Sequence, residues 1–252
     1  MKRYLIPSLL LALSLTACAP QAAPAETTPP PPEAEPSPAW GEQVFQQDYT
    51  GEGSSADTPE GTTISLRFVM PHIENAGEAP AWERLNEHFA SRGEEWLQKG
   101  QEYWGTPGLE PSGRYSVESV YTIQRCDRYL SVRYQRTEAL VGAPAVTVSG
   151  ELFDLTTGDA LTLEDLLTVP AEEGRDALLD ALDGLADDPY GRGYYEGYFS
   201  FTDLYLTEEN LVLLFPVYAD GAPSPTSTLE RPIPLSQLQE LLIPTLQDTP
   251  PE

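Results

Sequence analysis

Carboxylates are the most abundant reactive groups in this chain. Its 252 residues carry 40 Asp and Glu against 14 Lys and Arg, a formal net charge of -26. Acids stand side by side at Glu94-Glu95, Asp187-Asp188 and Glu208-Glu209. Glycoside hydrolysis needs two such groups facing each other across a cleft. Neighbours in sequence do not produce that arrangement, and solvated surface is the simpler reading. Other reactive types are sparse. The two histidines, His72 and His88, have no Cys, His or Asp companion at zinc-ligand spacing, so each reads as a surface or locally hydrogen-bonded group. Asp154 to Asp159 lacks the recurring Asp and Asn of a calcium loop. Gly51-Glu52-Gly53-Ser54-Ser55 lacks the lysine of a phosphate loop. There is no serine elbow and no Cys/His pair in one neighbourhood. The sequence therefore predicts no catalytic residue, no metal and no cofactor, with a composite carboxylate hydrolase as the residual alternative.

One stretch suits contact with a ligand. Between Asp187 and Tyr198 the chain reads DDPYGRGYYEGY, which places Tyr190, Tyr194, Tyr195 and Tyr198 among glycines beside Asp187 and Asp188. Tyrosines offer flat amphipathic faces that suit a sugar ring or a protein partner. The alternative is that they cover neighbouring core. Gly and Tyr at this density predict a loop.

The N-terminus carries an address. Lys2 and Arg3 precede an apolar run from Leu5 to Leu13 that is too short for a stable span, and Leu15-Thr16-Ala17-Cys18 resembles the bacterial lipobox. Residues 1–17 are expected to be a lipoprotein signal peptide. Two acyl chains on Cys18 would hold the chain at the outer face of the cell membrane, each buried methylene contributing about 0.8 kcal/mol. With Cys18 consumed by lipid, Cys126 has no intramolecular partner, so the fold is expected to hold no disulfide. Cys126 is either a reactive thiol or a small turn residue. Residues 18–40 are rich in Pro, Ala and Glu and read as a disordered tether; 248–252 read as a frayed tail. The acidity excludes nucleic acid as a partner. It favours encounter with cationic proteins, or serves only solubility.

The elements that position these residues follow from periodicity. Val44 to Thr50 is expected to be an edge strand, and Thr62 to Met70 alternates as a half-buried strand that Pro71 stops. Trp82, Leu85, Phe89 and Trp96 share one face of a helix from Pro80 to about Gln101. Ser116 to Gln124 and Tyr129 to Arg136 form a hairpin about Cys126-Asp127-Arg128. Val146 to Leu155 is the next strand, with Gly158 in the turn and Thr162 and Asp165 as a capping box. A helix from Ala171 to Ala186 buries Leu178, Leu179, Leu182 and Leu185. Strands follow around Phe201 to Leu206, at Leu211 to Phe215 and at Leu229 to Ile233. Pro234 opens a closing helix that buries Leu235, Leu238, Leu241 and Leu242. The fold class is α+β, mostly antiparallel sheet packed with a few helices, with subdomains at 41–140 and 141–247.

On these residues the chain resembles an extracytoplasmic two-part module of Gram-positive bacteria. The likeness lies in ISLRFVMPHI with the helix at Trp82-Glu83-Arg84-Leu85-Asn86 and the hairpin through YLSVRY. It continues in FDLTTGDALTLEDLL, LYLTEENLVLLF and IPLSQL. The module occurs in RsiV-type anti-sigma factors, in the N-terminal part of PdaC-type peptidoglycan deacetylases and in many lipoproteins. Where that family has a Gly-Gly-Ala-His-type turn, this chain reads Val141-Gly142-Ala143-Pro144 without the histidine. The resemblance implies an α+β binding module, not an enzyme in its own right, and a lysozyme-like cationic protein as partner. A cell-wall glycan is the alternative ligand.

Overall fold

The computed structural model describes residues 37–53, 58–184, 190–222 and 224–246. The leader with Cys18, most of the tether, Leu185, Asp187, Asp188 and the C-terminal tail lie outside these residues.

Alternation builds the first half of the sheet. Strand β1 (Trp40–Thr50) pairs antiparallel with β2 (Thr63–Ile73) along its whole length, at the edge of the sheet as expected. Ile64, Leu66, Phe68 and Met70 fill one face of β2, as a period of two requires. Pro71 does not stop this strand. Thr63 N–H donates to Gly113 O at 2.9 Å and Ile73 N–H donates to Asn86 at 2.8 Å, so the odd-numbered residues of β2 turn their N–H groups away from β1. Pro71 is one of them, and pairing of β2 with β3 (Arg114–Cys126) ends at Phe68 opposite Ser119. The missing N–H falls where no ladder partner is due.

Helix α1 (Pro80–Gln98) begins with Pro80 in its first turn and buries Ala81, Trp82, Leu85, Phe89, Gly93 and Trp96 against that face. A 3-10 segment, Lys99–Gly105, continues it. β3 turns into β4 (Tyr129–Ala139) as a hairpin, and Asp127 organises the turn by accepting from Tyr129 N–H at 3.0 Å and from Arg125 Nη2 at 2.7 Å. β5 (Ala145–Asp154) lies antiparallel to β4 and carries the two-residue strand β6 (Ala160–Leu161). Between them Gly158 takes a φ of 76°, as its turn demands. The capping box of Thr162 and Asp165 opens α2 (Leu163–Leu166).

Three segments of the second half differ from expectation. Helix α3 (Ala171–Asp183) buries Leu178, Leu179 and Leu182 as expected, but the region expected to be a loop contains a helix, α4 (Arg192–Tyr198). Spacing explains it. Tyr190, Tyr194 and Tyr198 recur every fourth residue and their rings touch, Arg192 Nε donates to Glu196 at 2.7 Å one turn on, and Arg192 also pairs with Asp180 of α3. Strand β7 is confined to Leu204–Leu206. It pairs with β8 (Asn210–Val217), whose Leu211 to Phe215 are all buried, and β8 pairs with β9 (Ser227–Pro234). After Pro234 the four leucines are buried, yet short 3-10 turns replace the expected helix. The backbone there is occupied by strand-like contacts: Thr168 N–H donates to Leu241 O and Ile243 N–H to Leu166 O, both at 2.9 Å.

The nine strands run β1-β2-β3-β4-β5-β9-β8-β7 with β6 on β5, and the fold is α+β and mostly antiparallel, with four α-helices among the described residues. β2–β3 and β5–β9 are parallel, the latter through the single pair Val146 and Ser227. The β7–β9 arm folds back over the face of β4 and β5 that α1 does not cover. Leu206 N–H donates to the buried Ser131 hydroxyl at 2.7 Å, and Tyr205, Val212 and Leu214 pack on Val148. A Cβ on Gly150 would stand 1.9 Å from Leu204 O, so only glycine lets the two layers meet there. Arg133 of β4 makes a two-pronged contact with Glu230 of β9 at 2.8 and 2.7 Å, and Tyr205 hydroxyl donates to the same carboxylate at 2.5 Å.

Besides the small cluster on Val148, two large core clusters form among the described residues. One joins α1 to β2–β5; the other joins α3, α4 and the C-terminal turns to β7–β9 and takes in Tyr129 and Leu152.

Candidate functional site

A buried carboxylate forms the most distinctive polar group. In β5 the side chains of Thr147, Ser149, Glu151 and Phe153 share one face by strand alternation, and the face turns toward α1. From α1, His88, Arg92 and Trp96 descend at four-residue intervals onto the same place. His88 Nε2 lies 3.3 Å from Glu151 Oε1, Arg92 Nε donates to that same oxygen at 2.9 Å, and Arg92 Nη2 contacts it as well. Three nitrogens thus crowd Oε1. Oε2 is buried and has no hydrogen bond, in a side chain only 10% exposed. Beneath it the Tyr134 hydroxyl is also buried and interacts with the Glu151 carboxylate at hydrogen-bonding range.

The electrostatics follow from these contacts. Burial pushes the Glu151 carboxyl up, but the His88 hydrogen bond and the Arg92 charge outweigh it and hold the group below the usual carboxylate range. Burial first, and then the Glu151 charge, push the Tyr134 phenol well above its ordinary value. A carboxylate held this way is a weak proton acceptor and a strong hydrogen-bond acceptor.

Above Glu151 opens a cleft of about 500 Å³ between α1, β5 and the approach to β7, with Trp96, Ser149, Thr162 and Asp203 on its walls. It adjoins a second cavity of about 490 Å³ lined by Lys99, Tyr103 and Glu138, with Arg136, Thr147 and Asp203 common to both. Arg136 lies against Phe68, Trp96 and Tyr103, its Nε 3.1 Å from Glu138. Among the described residues no group of His, Cys, Asp and Glu side chains is placed to hold a metal ion.

The tyrosines singled out from the sequence lie on the other half of the molecule, and they separate. Tyr195 is fully buried in the core of the β7–β9 arm, with Arg231 Nε donating to its hydroxyl at 2.8 Å, so it offers no face to solvent. Tyr190 and Tyr194 stack with centroids 4.2 Å apart, and Tyr194 donates to Pro216 O at 2.5 Å. Tyr198 lies 5.2 Å from Tyr194 and 6.0 Å from Tyr218. These four rings make a ladder whose last two members, Tyr198 and Tyr218, are 41% and 44% exposed.

Cys126 is free and exposed at the β3–β4 turn, and its thiol is pushed up by desolvation, which outweighs an opposing contact with Trp40, with a lesser upward push from Asp127. It is not activated toward thiolate. No described helix is long and apolar enough to cross a membrane.

The Glu151 cluster escapes a motif search because its parts are 59 and 63 residues apart in the chain. Strand parity held the available signal. Glu151 shares its parity with Phe153 and Leu155, an acid on a core-facing row, and Arg92 stands four residues after His88 on a helix already seen to be amphipathic. Tyr218 lay outside the glycine-rich stretch and had no local signal.

No family model matches the sequence, and no curated protein matches it. Solved structures do. A DUF3298 family member from Bacteroides fragilis superposes with a TM-score of 0.56 at 15% identity, covering 84% of this chain and 98% of its own. A DUF3298 family protein from Pseudomonas aeruginosa, also 15% identical, covers 84% of this chain and 96% of its own with a TM-score of 0.48. At this identity the likeness is one of fold: the chain shares the architecture of a domain of unknown function from Bacteroides fragilis.

Proposed function

We propose that this chain is a non-enzymatic binding lipoprotein, held by lipid on Cys18 at the outer face of the cell membrane, whose folded part captures a cationic wall-directed protein of the lysozyme type. The observation that carries the reading is the ladder of Tyr190, Tyr194, Tyr198 and Tyr218, two of whose rings stand open on a chain of net charge -26. Aromatic rings supply contact area at little entropic cost, and a long-range acidic field steers a basic partner toward them. The resemblance to RsiV-type ectodomains points the same way.

Pull-down of the full chain with lysozyme across a salt series tests this. Binding should weaken as salt rises, because exposed charges are screened beyond about 10 Å at 0.1 M. Tyr198→Ala with Tyr218→Ala should weaken it at least tenfold while leaving the fold intact. Absence of binding at low salt would sink the reading. A neutral wall glycan stacking on the same rings would instead bind with little response to salt. Lipidation is read separately, by acyl-chain labelling that Cys18→Ser abolishes.

A further inference from the structure

We propose that the waist between the two cavities, which Arg136 and Asp203 line on both sides, binds the zwitterionic head of a free α-amino acid, its carboxylate on the Arg136 guanidinium and its ammonium on the Asp203 carboxylate. The site uses neither the tyrosine ladder nor capture of a cationic protein.

The state of Arg136 comes first. Phe68, Trp96 and Tyr103 surround its guanidinium at 5.7 to 5.9 Å and fix its plane. An acid meets it only on the Nε side: Glu138 stands 3.1 Å from Nε without hydrogen-bond geometry, and also accepts from the Tyr103 hydroxyl at 3.4 Å. Among the described residues nothing accepts from Nη1 or Nη2, and the side chain is 24% exposed, so the fork is open to a ligand. Burial outweighs the charges of Glu138 and Glu102 and lowers the Arg136 pKa, whereas the hydrogen bonds of Glu230 raise that of Arg133. Arg136 is short of a counter-charge, and a planar fork of N–H donors is matched by a carboxylate.

Asp203 supplies the opposite charge. Leu204 O lies over Gly150 of β5, so the residue before it stands over the same strand as Thr147, which pairs with Arg136. The Asp203 side chain is exposed and makes no hydrogen bond or ion pair among the described residues.

Every charge of the two linings bears on the ligand class. Arg92, Lys99 and Arg136 stand against Glu102, Glu138, Glu151 and Asp203, with His88 beside Glu151. Arg92 is taken by Glu151, Lys99 by Glu95 at 2.6 Å, and Glu138 by Arg136 Nε and Tyr103. What is left is the Arg136 fork with Asp203 and Glu102. A simple anion gains the fork but meets both acids, on a chain of net charge -26; a simple cation meets Arg136 and Arg92. A zwitterion brings one charge to each side.

The walls set the rest of the ligand. Cavities of about 490 and 500 Å³ flank the waist, each within the usual range for small-ligand sites. Val148, Leu214 and Pro216 line one, Leu152 and Leu161 the other, so an apolar side chain finds apolar surface on either side.

The test is calorimetric titration of the full chain with L-leucine, beside N-acetyl-L-leucine, which lacks the ammonium, and L-leucinamide, which lacks the carboxylate. Saturable binding of L-leucine is expected, with each capped form at least tenfold weaker. Asp203→Asn removes a charge from an exposed side chain without hydrogen bonds. It should weaken L-leucine binding at least tenfold, leave the thermal midpoint in place and narrow the gap to N-acetyl-L-leucine. Arg136→Lys keeps the charge but loses the fork, and should narrow the gap to L-leucinamide if it folds; should it not fold, Asp203→Asn decides. No saturable binding of L-leucine by the wild-type chain, a capped form that binds as well as L-leucine, or undiminished binding by Asp203→Asn or by a folded Arg136→Lys would each overturn the proposal.

Discussion

Asn86 of α1 holds Ile73 of β2 at both ends: Oδ1 accepts from Ile73 N–H at 2.8 Å, and Nδ2 donates to Ile73 O at 2.9 Å. One side chain thereby satisfies the strand end that β3 does not reach. Asn86→Ala leaves a backbone donor and acceptor unpaired, and should destabilise the chain by about 1–3 kcal/mol in denaturant titration with an unchanged m-value. Asn86→Asp keeps the acceptor but loses the donor, and should fall between the two.

Acid sensitivity should centre on four carboxyls. Glu151, Glu230, Asp127 and Asp154 are all held below their usual values in the folded chain. A carboxyl with a depressed folded pKa adds stability that is present above its unfolded pKa and lost as pH falls through the folded one. The thermal midpoint should therefore hold from neutral pH to about 5 and fall below about 4, where unfolded carboxyls take up protons. Glu151→Gln should lower the midpoint at neutral pH and flatten the acid limb. An unchanged acid limb would remove Glu151 from this account.

The alkaline side tests the joint between the layers. Burial, and then the hydrogen bond to Glu230, push the Tyr205 phenol up to about 12. Its raised value means that it contributes stability fully below the unfolded value of about 10, and loses it as pH rises toward the folded one. Stability should therefore decline between pH 10 and 12. In Tyr205→Phe the share of that decline due to this phenol disappears, read as a smaller difference in denaturation midpoint between pH 9 and 11.

Two glycines should respond in opposite directions. Gly150→Ala drives a methyl group against Leu204 O, and should cost about 1–3 kcal/mol or more because backbone, not a flexible side chain, stands in the way. Gly193 is exposed on α4 with nothing within 4 Å of an added Cβ. Gly193→Ala should raise stability by about 0.5–1 kcal/mol through helix propensity. Chemical denaturation of both variants beside the wild type checks the pair.

Local pattern revealed most of the elements and few of their relationships. The alternation of Ile64, Leu66, Phe68 and Met70, the helical face of Trp82, Leu85 and Phe89, the Gly158 turn and the Thr162 capping box were all legible, because each is written within about ten residues. Pro71 misled because its tolerance depends on which side of β2 has a neighbour, a fact of topology. The glycines around Tyr194 suggested a loop, and a helix formed because Arg192 reaches both Glu196 and Asp180. The closing leucines were correctly placed inside; their helix was not, since residues 166–168 claim the backbone. The candidate cleft was the least legible part: Glu151 became notable only once α1 was laid across β5.

The single Val146–Ser227 pair also bears on the order in which the chain can fold. All the buried residues of the first core lie between Ile64 and Leu155, so an emerging polypeptide can complete it before the later strands exist. The second core recruits Tyr129 and Leu152 from strands already in place. The late-made half is thus moulded on the early one, and a truncation ending near residue 156 should retain a protected, slowly exchanging nucleus that the C-terminal half alone cannot form.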